Sequence, residues 1–353
     1  MKRLVLPPGC GPTTGSCAAA AALAALTAWR GGEPVDAVEV ALPDGRSVAV
    51  EIASADRIPG GARATVVKPE NGDDDLTAGV AITVSLSPLP EPGLVFVAGA
   101  GVGAVTRPGL SVPPGEPAIN PTPRRMIAEA LAGAEHGWRV EIAAAGGREI
   151  AKKTYNPRLG VVGGISIIGT TGIVRPFCRA AFRDSLLCSF SVAKASGHDA
   201  IILAPGHIGA RAAERRFSFR PEQLVEVGNA WDDAFELVRG FAFDCALVAG
   251  HPGKLAKLAR GPVDTHSAGS GSALPILEET LAAMGTRTPG DAGTAEALFS
   301  MLEPEAAGRL AERVAERIAS ALTETVATGR VAVWLCDLAG GELGSAGDLT
   351  PWQ

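Results

Sequence analysis

K-T-Y-N-P-R-L-G-V-V-G-G-I-S-I-I-G-T-T-G-I-V-R-P, Lys153 to Pro176, is the stretch on which the reading of the chain turns. Its apolar run Leu159 to Val162 reads as a strand. The strand enters a loop holding Gly163, Gly164, Gly169 and Gly172 together with the hydroxyls of Ser166, Thr170 and Thr171. Pro176 then stands where a helix through about Lys194 should begin, since proline is well tolerated in the first helical turn. A strand, a glycine and hydroxyl loop and a helix in succession bring backbone N–H groups close to a ligand. The loop is therefore expected to touch one.

From Leu159 onward the pattern alternates. Strands are expected at Leu159–Val162, Asp199–Ala204, Leu224–Val227, Asp244–Ala249 and Arg330–Leu335, with helices near 177–194, 209–216, 230–239, 253–260, 274–284 and 305–327. Near-continuous apolar strands alternating with helices predict a mainly parallel sheet covered on both faces, a Rossmann-like α/β domain. Ligands bind such sheets at the carboxyl ends of the strands. Three glycine-bearing loops are expected there: the one quoted above, A-P-G-H-I-G (Ala204 to Gly209) and A-G-H-P-G-K-L (Ala249 to Leu255).

Upstream the pattern differs. Thr14 or Ser16 can cap a helix from about Cys17 to Trp29, which Gly31-Gly32 ends. Val35 to Leu42 and Ser47 to Ile52 alternate in period two around P-D-G-R, a hairpin signal. Further strands read at Ala64 to Lys68, Val80 to Leu86, Val95 to Ala98 and Trp138 to Ala143, with a helix from about Arg124 to Glu135. Runs of strands with two helices make an α+β N-terminal domain. Gly146-Gly147 is the expected seam, giving domains 1–147 and 148–353.

Bulk composition narrows the function classes. The 353 residues are 46% hydrophobic and 20% charged, which is ordinary for a soluble globular chain. Only 5% are aromatic and the net charge is −6, which argues against nucleic-acid binding on stacking platforms. Residues 101–183 nonetheless hold 11 Lys or Arg against 5 Asp or Glu, so a basic middle sits on an acidic chain. That suits a small polyanion. The six cysteines form no CxxC pair and no zinc spacing. No apolar run matches a signal peptide or a membrane span, so a reduced cytoplasmic setting is expected.

Several motifs have duller readings. G-A-G-V-G-A (Gly99 to Ala104) lacks the third glycine of a dinucleotide fingerprint, and Arg107-Pro108-Gly109 prevents the required helix. It is as well explained by tight packing as by a ligand, although Thr106 and Arg107 follow at once. Gly164-x4-Gly169-Thr170-Thr171 resembles a P-loop without its lysine. His251-Pro252-Gly253-Lys254 opens a helix where N–H groups, dipole and lysine favour an anion; a proline-started helix with a solvated lysine is the equal alternative. Asp264-Thr265-His266-Ser267 reads better as an N-cap with a surface histidine than as acid–base machinery. Asp73-Asp74-Asp75 reads as a solvated turn before a metal site. Arg124-Arg125 at a helix N-terminus oppose the dipole, which suggests that they face an anion.

Taken together, T-T-G-S-C-A-A-A-A-A (Thr13 to Ala22), A-G-A-G-V-G-A-V-T-R-P-G-L (Ala98 to Leu110), G-E-P-A-I-N-P-T-P-R-R-M-I (Gly115 to Ile127), Asn156 to Pro176 and G-H-P-G-K-L-A-K-L-A (Gly250 to Ala259) resemble the CbiD family. The motifs run in order over nearly the whole chain. The resemblance implies methyl transfer from S-adenosylmethionine to ring carbon C1 of cobalt-precorrin-5B in anaerobic cobalamin biosynthesis. It implies an anionic cobalt-tetrapyrrole substrate, with cobalt in the substrate and no protein-bound metal, no nucleic acid and no membrane; homo-oligomerisation stays open.

On this footing Gly163, Gly164, Ser166, Gly169, Thr170, Thr171 and Gly172 are the expected cofactor contacts. Thr13, Thr14, Thr106, Arg107, Asn120, Arg124, Arg125, Arg175 and Lys254 are the expected substrate contacts, meeting carboxylates across the domain seam. His251 and His266 are candidates for any base that manages a macrocycle proton. The rival readings are a nicotinamide-dependent oxidoreductase, a non-catalytic tetrapyrrole carrier and, more remotely, a small-molecule kinase.

Overall fold

The structure is a computed structural model that describes residues 2–33, 35–72, 75–133, 136–176, 178–261, 265, 270–326 and 329–353. It divides into two compact units, Met1–Arg179 and Ala180–Gln353.

The first unit is built around a helix made almost wholly of small residues. After β1 (Gly11–Pro12), α1 spans Thr14–Trp29, and every residue from Thr14 to Leu26 except Leu23 is buried. Alanine has the highest helix propensity and lets neighbouring backbones approach closely, and a helix apolar on all sides belongs inside. The strands β2 (Ala37–Ala41) and β3 (Ser47–Glu51) form the expected hairpin. A five-stranded sheet follows, from β4 (Ser54–Ile58), β5 (Gly61–Val67), β6 (Ala81–Leu89), β7 (Leu94–Ala98) and β9 (Gly137–Ala144), in the order β4-β5-β6-β9-β7. Only β7 and β9 run parallel. Before β9 come the short β8 (Ala104–Val105) and the helix α2 (Pro121–Ala130). Ile82, Val84, Leu86, Val140 and Ile142 alternate into the core that α1 fills, the one-sided burial expected of an antiparallel sheet. Beyond β9 lie α3 (Gly147–Ala151), β10 (Val161–Val162) and β11 (Ile173–Val174).

The helix α4 (Arg179–Ala195) leads into the second unit. Then β12 (Ala200–Ala204), α5 (His207–Arg216), β13 (Leu224–Glu226), α6 (Trp231–Gly240) and β14 (Cys245–Gly250) alternate. The helices α7 (Pro252–Leu255), α8 (Leu274–Ala283), α9 (Ala295–Met301) and α10 (Pro304–Val326) lead to β15 (Arg330–Cys336) and β16 (Glu342–Ala346). The sheet order is β13-β12-β14-β15-β16, parallel except for β16. Both faces are covered. Ile201, Leu203, Val248 and Val333 enter one apolar cluster with α10 residues Leu310, Val314 and Ile318. Their neighbours Ile202, Ala204, Leu247 and Trp334 enter another, against Ala210 and Ala213 of α5.

Three expectations are corrected. Residues 148–176 belong to the first unit, not the second, because β10 pairs antiparallel with β8 and β11 with β1. Gly146-Gly147 is a turn inside that unit: Gly146 has φ of +69°, and a Cβ on Gly147 would lie 2.2 Å from the carbonyl oxygen of Gly101. The expected strand Leu159–Val162 shrinks to Val161–Val162 and takes no part in the parallel sheet. The quoted loop accordingly leads into β11 rather than a helix; Pro176 packs against Gly9, and α4 begins three residues later.

Candidate functional site

The glycine and hydroxyl loop closes over the N-terminus of α1. Thr13 caps that helix, its Oγ1 accepting the Ser16 N–H at 3.2 Å. The Thr13 N–H donates to the Gly172 carbonyl at 3.0 Å and the Gly15 N–H to the Ile168 carbonyl at 2.9 Å. Ser16 Oγ donates to Gly172 O at 2.5 Å, while Thr14 Oγ1 donates to Ile168 O and accepts the Ile168 N–H. Backbone carbonyls thus answer the positive end of the helix dipole. The sequence led to the opposite expectation, a loop offering N–H groups to a ligand.

The glycines answer to packing. A Cβ would lie 2.1 Å from Gly101 O at Gly164, 2.2 Å from Thr13 Oγ1 at Gly169 and 2.6 Å from Leu42 Cδ2 at Gly172. Gly163, with φ of +92°, faces open space. Ser166 Oγ lies 3.4 Å from Asn156 Oδ1 and Thr171 Oγ1 donates to Ile173 O, with Thr170 exposed beside it. The G-A-G-V-G-A run is the other side of this junction: Gly103 N–H donates to Ile165 O, and Gly101 accepts from the Ile165 N–H.

The expected cations fall into two groups. Arg124 is engaged internally, donating to Ile119 O at 2.8 Å and Glu116 at 3.0 Å with its guanidinium 5.2 Å from the Phe96 ring centre. Arg107 Nη1 donates to Arg158 O, beside Thr106 Oγ1 on Gly160 O. Arg175 is exposed, and Arg125 reaches only to 4.0 Å from Glu129. Asn120 stands at the start of α2 without a side-chain capping bond, its N–H on Ile167 O. Thr13, Thr14, Asn120, Ser166, Gly169 and Gly172 are therefore brought together in the first unit, Thr13 and Thr14 as buried structural partners.

Sequence reasoning missed the buried ion pair beside α1. Lys68, 1% exposed, meets Asp75 at 2.5 Å. Burial pushes the Asp75 carboxyl up, but the Lys68 ammonium and hydrogen bonds from Thr77 and Asn71 outweigh it and hold the pKa at about 2. Burial pushes the nearby Cys17 thiol up to about 12. The only sequence signal was a lysine closing an apolar strand before the acidic turn. Asp73 and Asp74 lie outside the described residues.

In the second unit two glycine-bearing loops do lie at the carboxyl edge of the parallel sheet. They touch: a Cβ on Gly250 would meet Pro205 Cδ at 2.9 Å, and one on Gly209 would meet Ala249 O at 2.8 Å. The chain passes from β12 to β13 on one side and returns to β14 on the other, so this is the topological switch point of the sheet. His251 caps α7, its Nδ1 accepting the Gly253 N–H at 3.0 Å while Nε2 lies 2.8 Å from Glu296 Oε2. That pairing places the ring proton on Nε2 and engages both nitrogens. Lys254 is exposed on α7. Lys257, which the sequence reading passed over, is buried and donates to Thr265 O and Ser270 Oγ. Asp264 and His266 lie outside the described residues. A groove of about 460 Å³ runs along α5, lined by His207, Ile208, Arg211, Arg215 and Leu338. Among the described residues no three His, Cys, Asp or Glu side chains cluster as metal ligands, and no helix is long and apolar enough to cross a membrane.

Comparison with known proteins covers both units. The family model CbiD matches residues 6–176, and CbiD, C-terminal domain, matches residues 264–347. A protein of Syntrophotalea carbinolica named cobalt-precorrin-5B C(1)-methyltransferase is 44% identical over 97% of this chain and 98% of its own length. One of the same name from Pseudomonas fluorescens is 41% identical over 78% of this chain and 77% of its own. The crystal structure of a cobalamin biosynthesis protein (CbiD) from Archaeoglobus fulgidus is 28% identical, covering 79% of this chain and 85% of that one at a TM-score of 0.39. With 44% identity to one such relative over 97% of the chain, and with the first family model ending three residues before the first unit does, the chain belongs to the CbiD family.

Proposed function

We propose that this chain is an S-adenosylmethionine-dependent C-methyltransferase that methylates ring carbon C1 of cobalt-precorrin-5B. The observation that carries the reading is the 44% identity, over 98% of its length, with a relative of that name. When bound, S-adenosylmethionine supplies a methyl on a sulfonium, which an electron-rich macrocycle carbon accepts without a protein nucleophile. The protein's task is then to hold two ligands in line and exclude water.

The cofactor is assigned to the carboxyl edge of the second unit's sheet, read as Rossmann-like. Gly206 caps α5 with no side chain to satisfy the first-turn N–H groups, and a Cβ there would meet nothing within 4 Å. Uncapped N–H groups beside open space fit the carboxylate of a methionine moiety. The glycine loop of Gly163–Gly172, which turns its carbonyls on α1, fits that role less well. The substrate's acetate and propionate arms suit the basic stretch 101–183. His251, with both nitrogens engaged, holds α7 and the 250–254 loop rather than moving a proton.

Incubating the protein with methyl-labelled S-adenosylmethionine and cobalt-precorrin-5B tests the reading: label should pass to the tetrapyrrole. A protein that binds the tetrapyrrole, takes up no S-adenosylmethionine and titrates with NADPH instead would contradict it.

A further inference from the structure

We infer that the segment from Lys152 to Ile168 is the face on which the flat tetrapyrrole lies, its carboxylate arms held by the cations around it. This rests on the functional reading above and adds where the substrate docks. Tyr155, Val162 and Ile168 are 41%, 59% and 49% exposed, and they supply three of the eleven exposed large hydrophobics among the described residues. Val162 and Ile168 are exposed for a structural reason: their neighbours Val161 and Ile167 are buried, which leaves these two outward. The turn carrying Tyr155 is stitched to the strand. Val161 N–H donates to Asn156 O at 2.9 Å, and Asn156 Nδ2 donates to Gly164 O at 3.2 Å. Between the two outward aliphatic residues, Gly163 presents bare backbone to open space.

Charge says what should cover this surface. Residues 148–176 hold Arg148, Lys152, Lys153, Arg158 and Arg175 against the single acid Glu149, which Lys152 meets at 2.8 Å, and all of these cations except Arg158 are exposed. Exposed apolar side chains on a segment rich in exposed cations match a ligand with an apolar plane and an anionic rim. A corrinoid bearing acetate and propionate arms has that form. The glycine loop then serves the substrate: its carbonyls fix it to α1, and its outer side carries Ile168.

The test is a calorimetric titration with cobyrinic acid, a stable cobalt corrinoid bearing the same kinds of carboxylate arm, against the intact protein and the variants Val162→Asp, Ile168→Asp and Lys152→Glu/Lys153→Glu. Each variant alters exposed side chains only. Each should weaken corrinoid binding about ten-fold or more, with affinity falling as salt rises, while S-adenosylmethionine affinity and the melting temperature stay unchanged. Corrinoid affinity within two-fold of the unaltered protein in both aspartate variants overturns the inference. So does absence of corrinoid binding by the unaltered protein, or a dimer that the substitutions dissolve with corrinoid affinity unchanged. If the protein binds corrinoid here but transfers no methyl, the functional reading fails and this face stands. If it methylates cobalt-precorrin-5B and the variants keep its KM, the reverse holds.

Discussion

Replacing Lys68 with methionine tests the packing of the first unit at its most sensitive point. The ammonium is 1% exposed and its partner carboxylate 14% exposed. Removing one member of a buried pair costs about 3–5 kcal/mol, because the other is left uncompensated. Asp75 keeps bonds from the Thr77 N–H at 2.8 Å, the Thr77 hydroxyl at 2.6 Å and Asn71 at 3.0 Å, so the low end applies, about 3 kcal/mol. Asp75→Asn should cost as much or more, since it strands a less exposed charge. The double variant should cost less than the sum by about 1–3 kcal/mol, the range for residues in direct contact.

The same pair sets an acid limit. The folded pKa of Asp75, about 2, lies below its unfolded value. The stability it contributes is therefore complete above the unfolded carboxyl pKa of about 4 and lost as pH falls toward 2. Discounted for partial solvent screening, it amounts to about 1–2 kcal/mol. In Lys68→Met this acid slope should flatten. Guanidinium unfolding gives the energies, and hydrogen exchange of peptides covering α1 and residues 61–72 assigns them to the first unit. A Lys68→Met cost below about 1 kcal/mol, or strict additivity in the double variant, would refute the reasoning.

Other substitutions separate packing from chemistry. Gly164→Ala puts a methyl 2.1 Å from a backbone oxygen and should destabilise by more than about 3 kcal/mol, whereas Gly163→Ala, open but at φ of +92°, should cost only about 1–2 kcal/mol; thermal melts distinguish them. Ser16→Ala removes the bond to Gly172 O at 2.5 Å and should cost about 1–2 kcal/mol in the same assay. Cys17 and Cys336, with thiols pushed up to about 12 and about 11 mainly by burial, should resist thiol reagents at pH 8 until the protein unfolds. Mass mapping should find Cys10 and Cys178 labelled first: neither is buried, whereas burial pushes the equally half-buried Cys188 thiol up. His251→Asn keeps a capping acceptor and should retain kcat within about ten-fold with an unshifted pH profile; a loss of about a hundred-fold or more would mark a general base.

The second unit was legible because its central strands are buried on both faces and read as unbroken apolar runs: Ile201 to Ala204 and Ala246 to Ala249 could be little else. The polar edge strand Glu342–Ala346 was missed, since it exists only by pairing with β15. The two-residue β11 was missed too, and β10 was expected in the parallel sheet, because their partners at Gly11–Pro12 and Ala104–Val105 are far away in sequence. No local pattern encodes such pairings, and this is why the seam was set some thirty residues too early. At the site, the glycines of residues 163–172 suggested a loop that approaches a ligand, whereas Gly164, Gly169 and Gly172 answer to close packing. Composition does not say which way a peptide unit points, and the direction of the Ile168 and Gly172 carbonyls turned an expected cofactor loop into a cover for α1. Lys68 and Lys257 were passed over because a single lysine in a sequence reads as solvated; only the fold shows each of them buried against oxygen acceptors.

The most direct measurement is the position of the transferred carbon. Cobalt-precorrin-5B would be incubated with the purified protein and S-adenosylmethionine enriched with carbon-13 in its methyl, and the tetrapyrrole examined by mass spectrometry and carbon NMR. The account predicts a product heavier by one labelled methyl, bonded to C1, with one equivalent of S-adenosylhomocysteine. Unchanged tetrapyrrole in the presence of both ligands, or a label on any other ring carbon, would contradict it.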